Sequence, residues 1–480
     1  MTSSRSGSML IYLALATPLV LVHLGGTDLI RMEPIIALGA KRMVENGGWF
    51  VPHLYDEVYA FKPGLAYWLT AIAGSTWGWS ELSLRLPTAI CGLLLGLAIC
   101  LFMGRFLSPR CGLVSGLAAA TSCLFLEQAR TIGFEMPMAL GVGVAILAAI
   151  RNLAKDESSL GWWILAGVGL LFGFLAKGLP AIAIYAAGLL TASVALGRIR
   201  LLLRWQHLAS VAMFILAAAI YGLLAYREGG ALIFYQHLVE ILFRGTRWKP
   251  AMLLQTLLKP AVMFAAYLPG SALLLLRLAP QSPEKPDPTT TRLRIAAWCF
   301  LLAGAALFVL SPVDNTRYYL PLMTPLAVLA GIHAESHRIP MAAFLKEKRR
   351  LKATANPVLW MVVAGCIYWL IYVGVVEPRR AYSNSLRAIA ARFAEHVAPN
   401  ETVYVDSQDE YSSLFWYLDR PVRGSWDIGE PLPPPPAYLL LADKQARLAA
   451  SLQNRGLITV AEEKDHEGIP YILCRVQGTP

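Results

Sequence analysis

The chain has 480 residues, of which 56% are hydrophobic and only 15% are charged, and its mean hydropathy is +0.52. A soluble domain carries about 25% charged residues, so this composition excludes an ordinary soluble protein and predicts many membrane spans of about 20 residues. The formal net charge is +11, but the basic residues are scattered between apolar segments, which argues against a nucleic-acid partner. The seven cysteines form no Cys-x-x-Cys pair, so neither a disulfide framework nor a zinc site is predicted.

Apolar segments follow one another along most of the chain and predict a polytopic α-helical membrane protein with about eleven transmembrane helices. The first segment, 9–26, precedes no convincing cleavage site and is predicted to be an uncleaved helix. Segment 63–77 is short for a span and is predicted to lie in the outer interface or to re-enter it. The other predicted spans are 84–106, 112–126, 136–150, 161–174, 179–196, 207–226, 260–276, 295–310, 320–332 and 358–375.

The composition also predicts two domains, a transmembrane domain over 1–380 and a soluble α/β domain over 381–480. The first outer loop, 27–83, contains an amphipathic stretch at 34–46 that is typical of an interfacial helix. Strands alternate with helices in the C-terminal domain. The predicted strands are 401–407, 437–443, 457–462 and 471–476, the predicted helices are 385–397, 411–420 and 444–456, and 431–436 is a proline-rich loop. The segments 281–293 and 338–356 read as connectors.

The distribution of Lys and Arg favours a cytoplasmic N-terminus, because the loops then assigned to the cytoplasm carry more of them than the outer loops. With eleven spans, the C-terminal domain then lies outside. Several outer basic residues stand at helix ends beside apolar sequence, where charge is costly and often functional. Snorkelling accounts for only part of them, and the rest suggest that a phosphate or pyrophosphate is held at the outer face.

Six ionisable residues lie at predicted outer ends of spans, all on one side of the membrane: Glu33, Lys62, Arg85, Glu135, Lys177 and Arg317. The chain has no GxxxxGK[ST] loop and no GxGxxG after a strand, and its one His-x-x-x-His pair, His333 and His337, lacks the Glu of HExxH. These features argue against an ATP-driven pump, a Rossmann cofactor site and a zinc protease. Acids and bases in this arrangement permit glycosyl transfer from a lipid phosphate. Lys and Arg stabilise the departing phosphate, and a carboxylate orients or deprotonates the attacking hydroxyl.

Four runs of sequence, GGWFVPHLYDEVYAFKPGLAYWLTAI, ELSLRLPTAI, AKGLP and RYYLPLMTPLAVLAG, occur in this order within residues 10–335. In order and spacing they resemble the C-type glycosyltransferases related to the aminoarabinose lipid A transferase and the protein O-mannosyltransferases. The resemblance implies a bacterial inner-membrane enzyme that uses a polyprenyl-phosphate-linked sugar donor on the periplasmic side. It also implies a periplasmic C-terminal domain, surrounding membrane lipids, and a lipid, glycan or protein acceptor.

Carried onto this sequence, the family's first acidic pair falls on Met32-Glu33, so Glu33 is the candidate catalytic carboxylate. The second acidic position falls on Glu135, which is expected to support it. The residues that match the family's positions near the donor phosphate are Lys62, Arg85, Lys177, Arg317 and Tyr319. Because Met32 and Phe61 stand where relatives carry acids, no metal ligand is assigned, and both a divalent metal and a lipid A acceptor are left open.

Other roles exist for these residues. An acid in the first turn of a helix, such as Glu33 or Glu135, complements the helix dipole, and Lys62 can act as a snorkelling anchor. The alternative function for the whole protein is a transporter or flippase of lipid-linked sugars. A transporter is expected to have ionisable residues at mid-span and internal sequence symmetry, and this sequence shows neither. A third alternative is a non-catalytic membrane scaffold, but that function would not explain Glu33 and Lys62 in the first outer loop.

Overall fold

A computed structural model describes residues 4–233, 235–236, 252–275, 287–311, 315–336, 357–405, 411–424, 426, 431–442 and 456–477. The chain divides into two compact units, which are described separately. The first unit comprises Met1–Leu24, Phe61–Ala66 and Arg85–Tyr372, and the second comprises Gly25–Ala60, Tyr67–Leu84 and Val373–Pro480. The predicted helix 444–456, except for its last residue, and the whole of the predicted connector 338–356 lie outside the described residues.

The α-helices of the described residues follow the apolar segments of the sequence. In chain order they are α1 (Arg5–Leu21), α2 (Met32–Asn46), α3 (Leu65–Trp77), α4 (Glu81–Phe106), α5 (Pro109–Ala120), α6 (Cys123–Ala129), α7 (Glu135–Ala154), α8 (Leu160–Lys177), α9 (Leu179–Ala195), α10 (Trp205–Gly229), α11 (Met252–Ala266), α12 (Pro288–Leu310), α13 (Met323–Ser336), α14 (Pro357–Ile371), α15 (Glu377–Asn384), α16 (Arg387–Ala394) and α17 (Ser412–Leu418).

The helix lengths and compositions make this a polytopic membrane protein. Six helical stretches of the described residues are long and apolar enough to cross a bilayer, and a seventh is added if the bent pair α5 and α6 forms one span. The six are Glu81–Phe106, Glu135–Ala154, Leu160–Lys177, Trp205–Gly229, Pro288–Leu310 and Leu359–Ala394. The described residues also contain three shorter apolar helices, Arg5–Leu21, Leu179–Ala195 and Thr256–Ala266. The count of eleven spans stays a prediction.

The span predicted over 112–126 is wrong as a single helix, because the chain bends by 68° between α5 and α6. The Thr121 hydroxyl donates to the carbonyl of Leu117 at 2.7 Å, and the Ser122 hydroxyl donates to that of Ala119 at 2.9 Å. The next amide, of Cys123, donates to the carbonyl of Leu268 instead of continuing the helix. Hydroxyl side chains that compete for backbone groups bend helices in this way.

Three other predicted boundaries also require correction. The apolar run 260–276 is helical only to Ala266 and resumes as a 3₁₀ turn, Ser271–Leu275. The predicted connector 281–293 enters α12 at Pro288, where the Asp287 carboxylate caps the helix by accepting from the amides of the next turn. The run 320–332 begins as the 3₁₀ segment Thr316–Leu322, and α13 starts only at Met323.

Helices α7 and α8 form a close antiparallel pair in the first unit. An added Cβ at Gly141 of α7 would lie 2.4 Å from the backbone nitrogen of Gly173 and 2.5 Å from the carbonyl oxygen of Gly169 in α8. Glycines four residues apart let two membrane helices approach to backbone contact. The approach matters for the site because α7 begins at Glu135 and α8 ends at Lys177, so the pair brings these two residues to the same end.

In the second unit, the predicted interfacial helix is confirmed as helical in α2, which ends before Gly47 at a positive φ of 78°. A short hairpin follows, formed by β1 (His53–Leu54) and β2 (Glu57–Val58). Its turn residue Tyr55 also has a positive φ, 58°.

The C-terminal part of this unit contains a five-stranded mixed sheet with the strand order β4-β3-β5-β7-β6. The strands are β3 (Thr402–Val405), β4 (Val422–Arg423), β5 (Ala437–Ala442), β6 (Leu457–Lys464) and β7 (Pro470–Val476). Strands β4 and β5 both run parallel to β3, whereas β7 pairs antiparallel with β5 and β6. Central strand β5 is buried along its whole length, as expected for a strand with a neighbour on each side. The loop 431–436 has no regular structure, as predicted.

Candidate functional site

Glu135 lies between two basic side chains in the first unit. The Lys177 ammonium donates to Glu135 Oε1 at 2.9 Å, and Arg317 Nε lies 3.0 Å from the same oxygen. The side chains of Glu135 and Lys177 are each only 5% exposed, and that of Arg317 is 33% exposed. The structure therefore brings together three of the residues predicted from the sequence, one acid and two bases.

Each member of this ion-paired cluster stands at the end of an element. Glu135 is the first residue of α7 and Lys177 the last residue of α8, so each carries a charge of the sign that its helix end favours. Arg317 lies in the 3₁₀ segment that precedes α13, where the Asn315 side chain caps the Arg317 amide at 3.3 Å. The charges are thus held at helix ends rather than at mid-span.

Tyr318 is a member of the cluster to which the sequence analysis gave no role. The Lys177 ammonium lies 3.6 Å from the centroid of the Tyr318 ring, and the Arg317 guanidinium carbon lies 5.5 Å from it. An aromatic face attracts a cation without neutralising it. The available signal was the RYYLP motif itself, in which Tyr318 stands between the two residues that were chosen.

Burial lowers the pKa of the Arg317 guanidinium, but the Glu135 carboxylate and Tyr318 outweigh it, and the net shift is upward. Arg317 therefore stays charged at any physiological pH. The Glu135 carboxylate thus contacts two basic side chains, and a second carboxylate, that of Glu127, also favours the charged form of Arg317.

The Lys62 turn lies beside the end of α8. The Pro63 ring is 3.9 Å from where a Cβ of Gly178 would stand, and Gly178 directly follows Lys177. The amide of Gly64 donates to the Tyr221 hydroxyl at 3.0 Å, which fixes the turn on its other side. Lys62, which is half-buried, thus belongs to a turn that is packed next to the Glu135 cluster.

Arg85 is buried, and its guanidinium donates to the carbonyl of Leu24 at 3.0 Å, just beyond the end of α1. Arg130, which the sequence analysis did not choose, has a related position. It is 1% exposed and donates to the carbonyls of Val20, Val22 and His23 at 2.8–3.1 Å. Both arginines anchor the chain where α1 ends, a contact that a sequence pattern does not reveal. A donor-binding role for Arg85 stays a prediction.

Tyr319 is fully buried in the first unit. Its backbone carbonyl accepts a hydrogen bond from the Tyr267 hydroxyl, and its ring packs edge to face on Phe308 at a centroid distance of 5.2 Å. These contacts fix the 3₁₀ segment that carries Arg317.

Glu33 belongs to the second unit, where it lies in the first turn of α2 and is 2% exposed. Its Oε2 accepts from the amide of Ile30 at 3.2 Å, and its own amide donates to the Ile30 carbonyl. Glu33 therefore ties the chain before α2 to the first turn, although α2 has no side-chain cap hydrogen bond. Arg31, the N-cap residue of α2, has a positive φ of 58°, a conformation that costs energy for a residue with a side chain and that is often found at functional sites.

The described residues contain no group of three or more His, Cys, Asp or Glu side chains that could hold a metal ion. Around Glu135 the partners of the single carboxylate are cations, whereas a divalent metal prefers several oxygen ligands. This donor set does not fit a divalent metal, and no chemical step is derived through one.

Residues 62–221 match the family model of the dolichyl-phosphate-mannose-protein mannosyltransferases. This stretch contains Lys62, Arg85, Glu135 and Lys177. The undecaprenyl phosphate-alpha-4-amino-4-deoxy-L-arabinose arabinosyl transferase of Serratia proteamaculans is 25% identical over 378 residues, which are 77% of this chain and 65% of that protein. The chain thus spans slightly less than two thirds of the length of this relative.

Two solved structures have a similar fold. ArnT from Cupriavidus metallidurans, bound to undecaprenyl phosphate, matches with a TM-score of 0.76 and 17% identity over 98% of both chains. The oligosaccharyltransferase AglB from Archaeoglobus fulgidus matches with a TM-score of 0.51 and 14% identity over 88% of this chain and 64% of its own. The chain has the fold of the C-type membrane glycosyltransferases and is related to the aminoarabinose transferases and the protein O-mannosyltransferases.

Proposed function

We propose that the chain transfers a sugar from a polyprenyl-phosphate donor to a lipid, glycan or protein acceptor at the periplasmic face of a bacterial inner membrane. The observation that carries the proposal is the largely buried cluster in which Glu135 holds Lys177 and Arg317 together. Lys177 and Arg317 are the two cations assigned to the donor phosphate. The names of the relatives, which describe sugars carried on undecaprenyl phosphate or dolichyl phosphate, support the same chemistry.

In this mechanism the bond between the sugar C1 and the phosphate oxygen breaks, and its electron pair leaves with the phosphate. Lys177, Arg317 and Lys62 stabilise the charge that develops on that group, and they act more strongly in a partly dry site than in water. Arg317 offers planar, paired donors that match two phosphate oxygens. Because Glu135 Oε1 already accepts from Lys177 and faces Arg317, Glu135 acts as a positioning carboxylate that aims both cations.

Glu33 is assigned the role of the general base. The acceptor hydroxyl oxygen attacks C1, and its proton moves to the Glu33 carboxylate as the phosphate departs. The closed surroundings of Glu33 favour this assignment, since a carboxylate that is 2% exposed keeps its lone pairs away from bulk water. Donor phosphate binding and proton removal are thus given to different residues, and substitutions can separate the two.

The proposed topology has about eleven spans, with the N-terminus in the cytoplasm and the sheet-containing C-terminal domain in the periplasm. The excess of Lys and Arg in the loops assigned to the cytoplasm supports it. Reporter fusions after residue 4 and after residue 477 test it in intact cells. A reporter at residue 477 that is active only in the cytoplasm would overturn the orientation.

The test of function uses the full chain in vesicles with a synthetic polyprenyl-phosphate sugar. Lys62→Ala and Glu33→Gln should each abolish transfer while the protein still inserts and folds. Lys464→Ala and Glu462→Gln, exposed positions on strand β6, serve as matched controls and should transfer normally. Near-normal transfer by both site variants would refute the mechanism, and movement of donor across the bilayer without bond cleavage would replace the enzyme with a flippase.

The acceptor is found by mass spectrometry of lipids and envelope glycans from cells with and without the gene. A mass difference of one sugar identifies both the transferred group and the molecule that receives it. Identical spectra under conditions in which the protein is made would contradict the proposal.

A further inference from the structure

A groove of about 240 Å³ lies between α4, α7 and α8 in the first unit, and its lining is apolar and aromatic except for Arg105. Two of its lining leucines, Leu101 of α4 and Leu165 of α8, are 45% and 40% exposed. All three helices are long and apolar enough to cross a bilayer, so exposed apolar side chains along them face lipid chains. The groove is therefore open to the bilayer rather than to water.

Three cations stand at one end of this groove. Arg105 lies in the last turn of α4 and lines the groove, Arg151 lies in the last turn of α7, and Lys155 directly follows α7. The Arg151 guanidinium carbon is 6.0 Å from the ring centroid of Trp162, which also lines the groove, and the Lys155 ammonium is 5.7 Å from that of Phe106. Arg105 is close enough to Arg151 for the two positive charges to repel each other.

The nearby carboxylates do not neutralise these cations. Asp156 is held by Arg198 and Arg292. Glu157 accepts from Arg151 through its backbone carbonyl, at 2.9 Å. In the part of the chain that the structure describes, none of the three cations makes an ion pair with a carboxylate. The end of the groove is therefore a concentration of positive charge that an external anion can complement.

Aromatic rings hold this end of the groove at a defined depth. Phe102 stacks on Phe106 at a centroid distance of 4.5 Å and packs edge to face on Trp162 at 6.1 Å. Tryptophan side chains collect at the level of the lipid headgroups, where one side of the ring is apolar and the other is wet. The three cations beside these rings are thus placed at headgroup level, and the apolar part of the groove extends toward the hydrocarbon.

The groove is remote from the Glu135 cluster, although the same helices form both. Arg151 follows Glu135 by sixteen residues within α7, which corresponds to about 24 Å along the helix axis. Trp162 lies near the start of α8, and Lys177 is its last residue. A phosphate at this end of the helices cannot be the phosphate that Lys177 and Arg317 are proposed to bind.

We propose that this groove binds an anionic phospholipid of the bilayer, with its phosphate between Arg105 and Arg151 and one acyl chain along the apolar walls. Basic pockets between membrane helices recognise anionic lipid headgroups in this way. A zwitterionic phospholipid brings a positive group of its own toward Lys155, so the cluster selects a lipid whose headgroup has no such group. The assignment does not depend on the proposed transferase function.

The test measures lipid binding to the full chain by native mass spectrometry from detergent micelles. The probes are phosphatidylglycerol, phosphatidylcholine and glycerol 3-phosphate, and phosphatidylglycerol should bind most tightly. Its affinity should fall about 5-fold in Arg105→Gln, which breaks no hydrogen bond of the described residues, and about 30-fold in Arg105→Gln/Arg151→Gln. Ala98→Trp fills the groove without changing its charge and should also lower the affinity. Arg200→Gln, an exposed arginine of the 3₁₀ turn Ile199–Leu203, is the matched control and should bind normally.

Four results would overturn the inference. Equal affinity for phosphatidylglycerol and phosphatidylcholine would show that the headgroup charge is not recognised, and equal affinity for glycerol 3-phosphate would show that the groove holds no acyl chain. Unchanged affinity in both arginine variants would remove the cations from the site. Displacement of phosphatidylglycerol by an equal concentration of undecaprenyl phosphate would assign the groove to the donor lipid instead.

Discussion

Replacing Glu135 by glutamine removes the carboxylate oxygen that contacts both Lys177 and Arg317. The Lys177 side chain is 5% exposed, so its ammonium is left without this anion in a site that water barely reaches. Removing one partner of a buried ion pair destabilises a protein by about 3–5 kcal/mol, because the remaining charge stays buried. We therefore expect Glu135→Gln to lower the free energy of unfolding by about that amount.

The companion change Lys177→Met should cost less than Glu135→Gln, because Glu135 still faces Arg317 at 3.0 Å. The Glu135→Gln/Lys177→Met double variant leaves less buried charge without a partner. Its loss of unfolding free energy should therefore be smaller than the sum of the two single losses by about 1–3 kcal/mol, as for directly contacting residues. The four proteins form a double-mutant cycle, which is measured by reversible unfolding in mixed detergent micelles.

The matched control is Asp156→Asn. Asp156 pairs with Arg292 at 2.7 Å, but its side chain is 80% exposed, so the same type of pair stands in water. Exposed pairs contribute little, and we expect no change in stability that the assay resolves. If the losses of unfolding free energy in the two single variants add to within about 0.5 kcal/mol, Glu135 and Lys177 are energetically independent. That result would refute the inferred coupling between them.

Three further outcomes follow from the same unit. Gly141→Leu should push α7 away from α8, lower the thermal stability and abolish transfer, whereas Gly222→Leu, where an added Cβ meets nothing, should leave both unchanged. Arg130→Met should lower the free energy of unfolding by at least about 1–3 kcal/mol, because buried carbonyls lose their donor; a stability equal to the wild type would contradict its anchoring role. Tyr318→Leu should lower kcat by about 2-fold to 30-fold, the equivalent of a cation–π contact. Tyr318→Phe keeps the aromatic ring and should have a kcat close to that of the wild type. Equal losses of kcat in the two variants would show that the ring does not act on Lys177.

Much of the Glu135 cluster was predictable, because a charged residue beside an apolar run must stand where a helix ends. Glu135 and Lys177 were both placed at outer ends of neighbouring helices for that reason, and the structure joins them at 2.9 Å. Tyr318 was not predictable in the same way. Its role depends on the 3₁₀ turn that begins at Thr316, and a sequence pattern does not distinguish that turn from the first turn of an α-helix.

The failures at helix boundaries have one physical origin. Apolar composition reports which residues prefer lipid or protein interior to water, but it does not report where the backbone breaks. The break between α5 and α6 depends on the hydroxyls of Thr121 and Ser122, which bond to carbonyls of the preceding turn. In the same way β3, β5, β6 and β7 of the C-terminal sheet were predicted as strands, whereas β4, with only two residues, and the pairing order were not.

The Glu135 cluster links the stability of the protein to its proposed chemistry. Lys177 and Arg317 hold the Glu135 carboxylate in a site of low exposure, and the same two cations are proposed to bind the donor phosphate. Any ligand that binds only the folded state stabilises it, by about 2.7 kcal/mol at one hundred times its dissociation constant. Undecaprenyl phosphate should therefore raise the unfolding temperature of the wild-type chain, and should raise it less when Lys177 is methionine. Lys177 then contributes both to the stability of the cluster and to the binding of the donor phosphate.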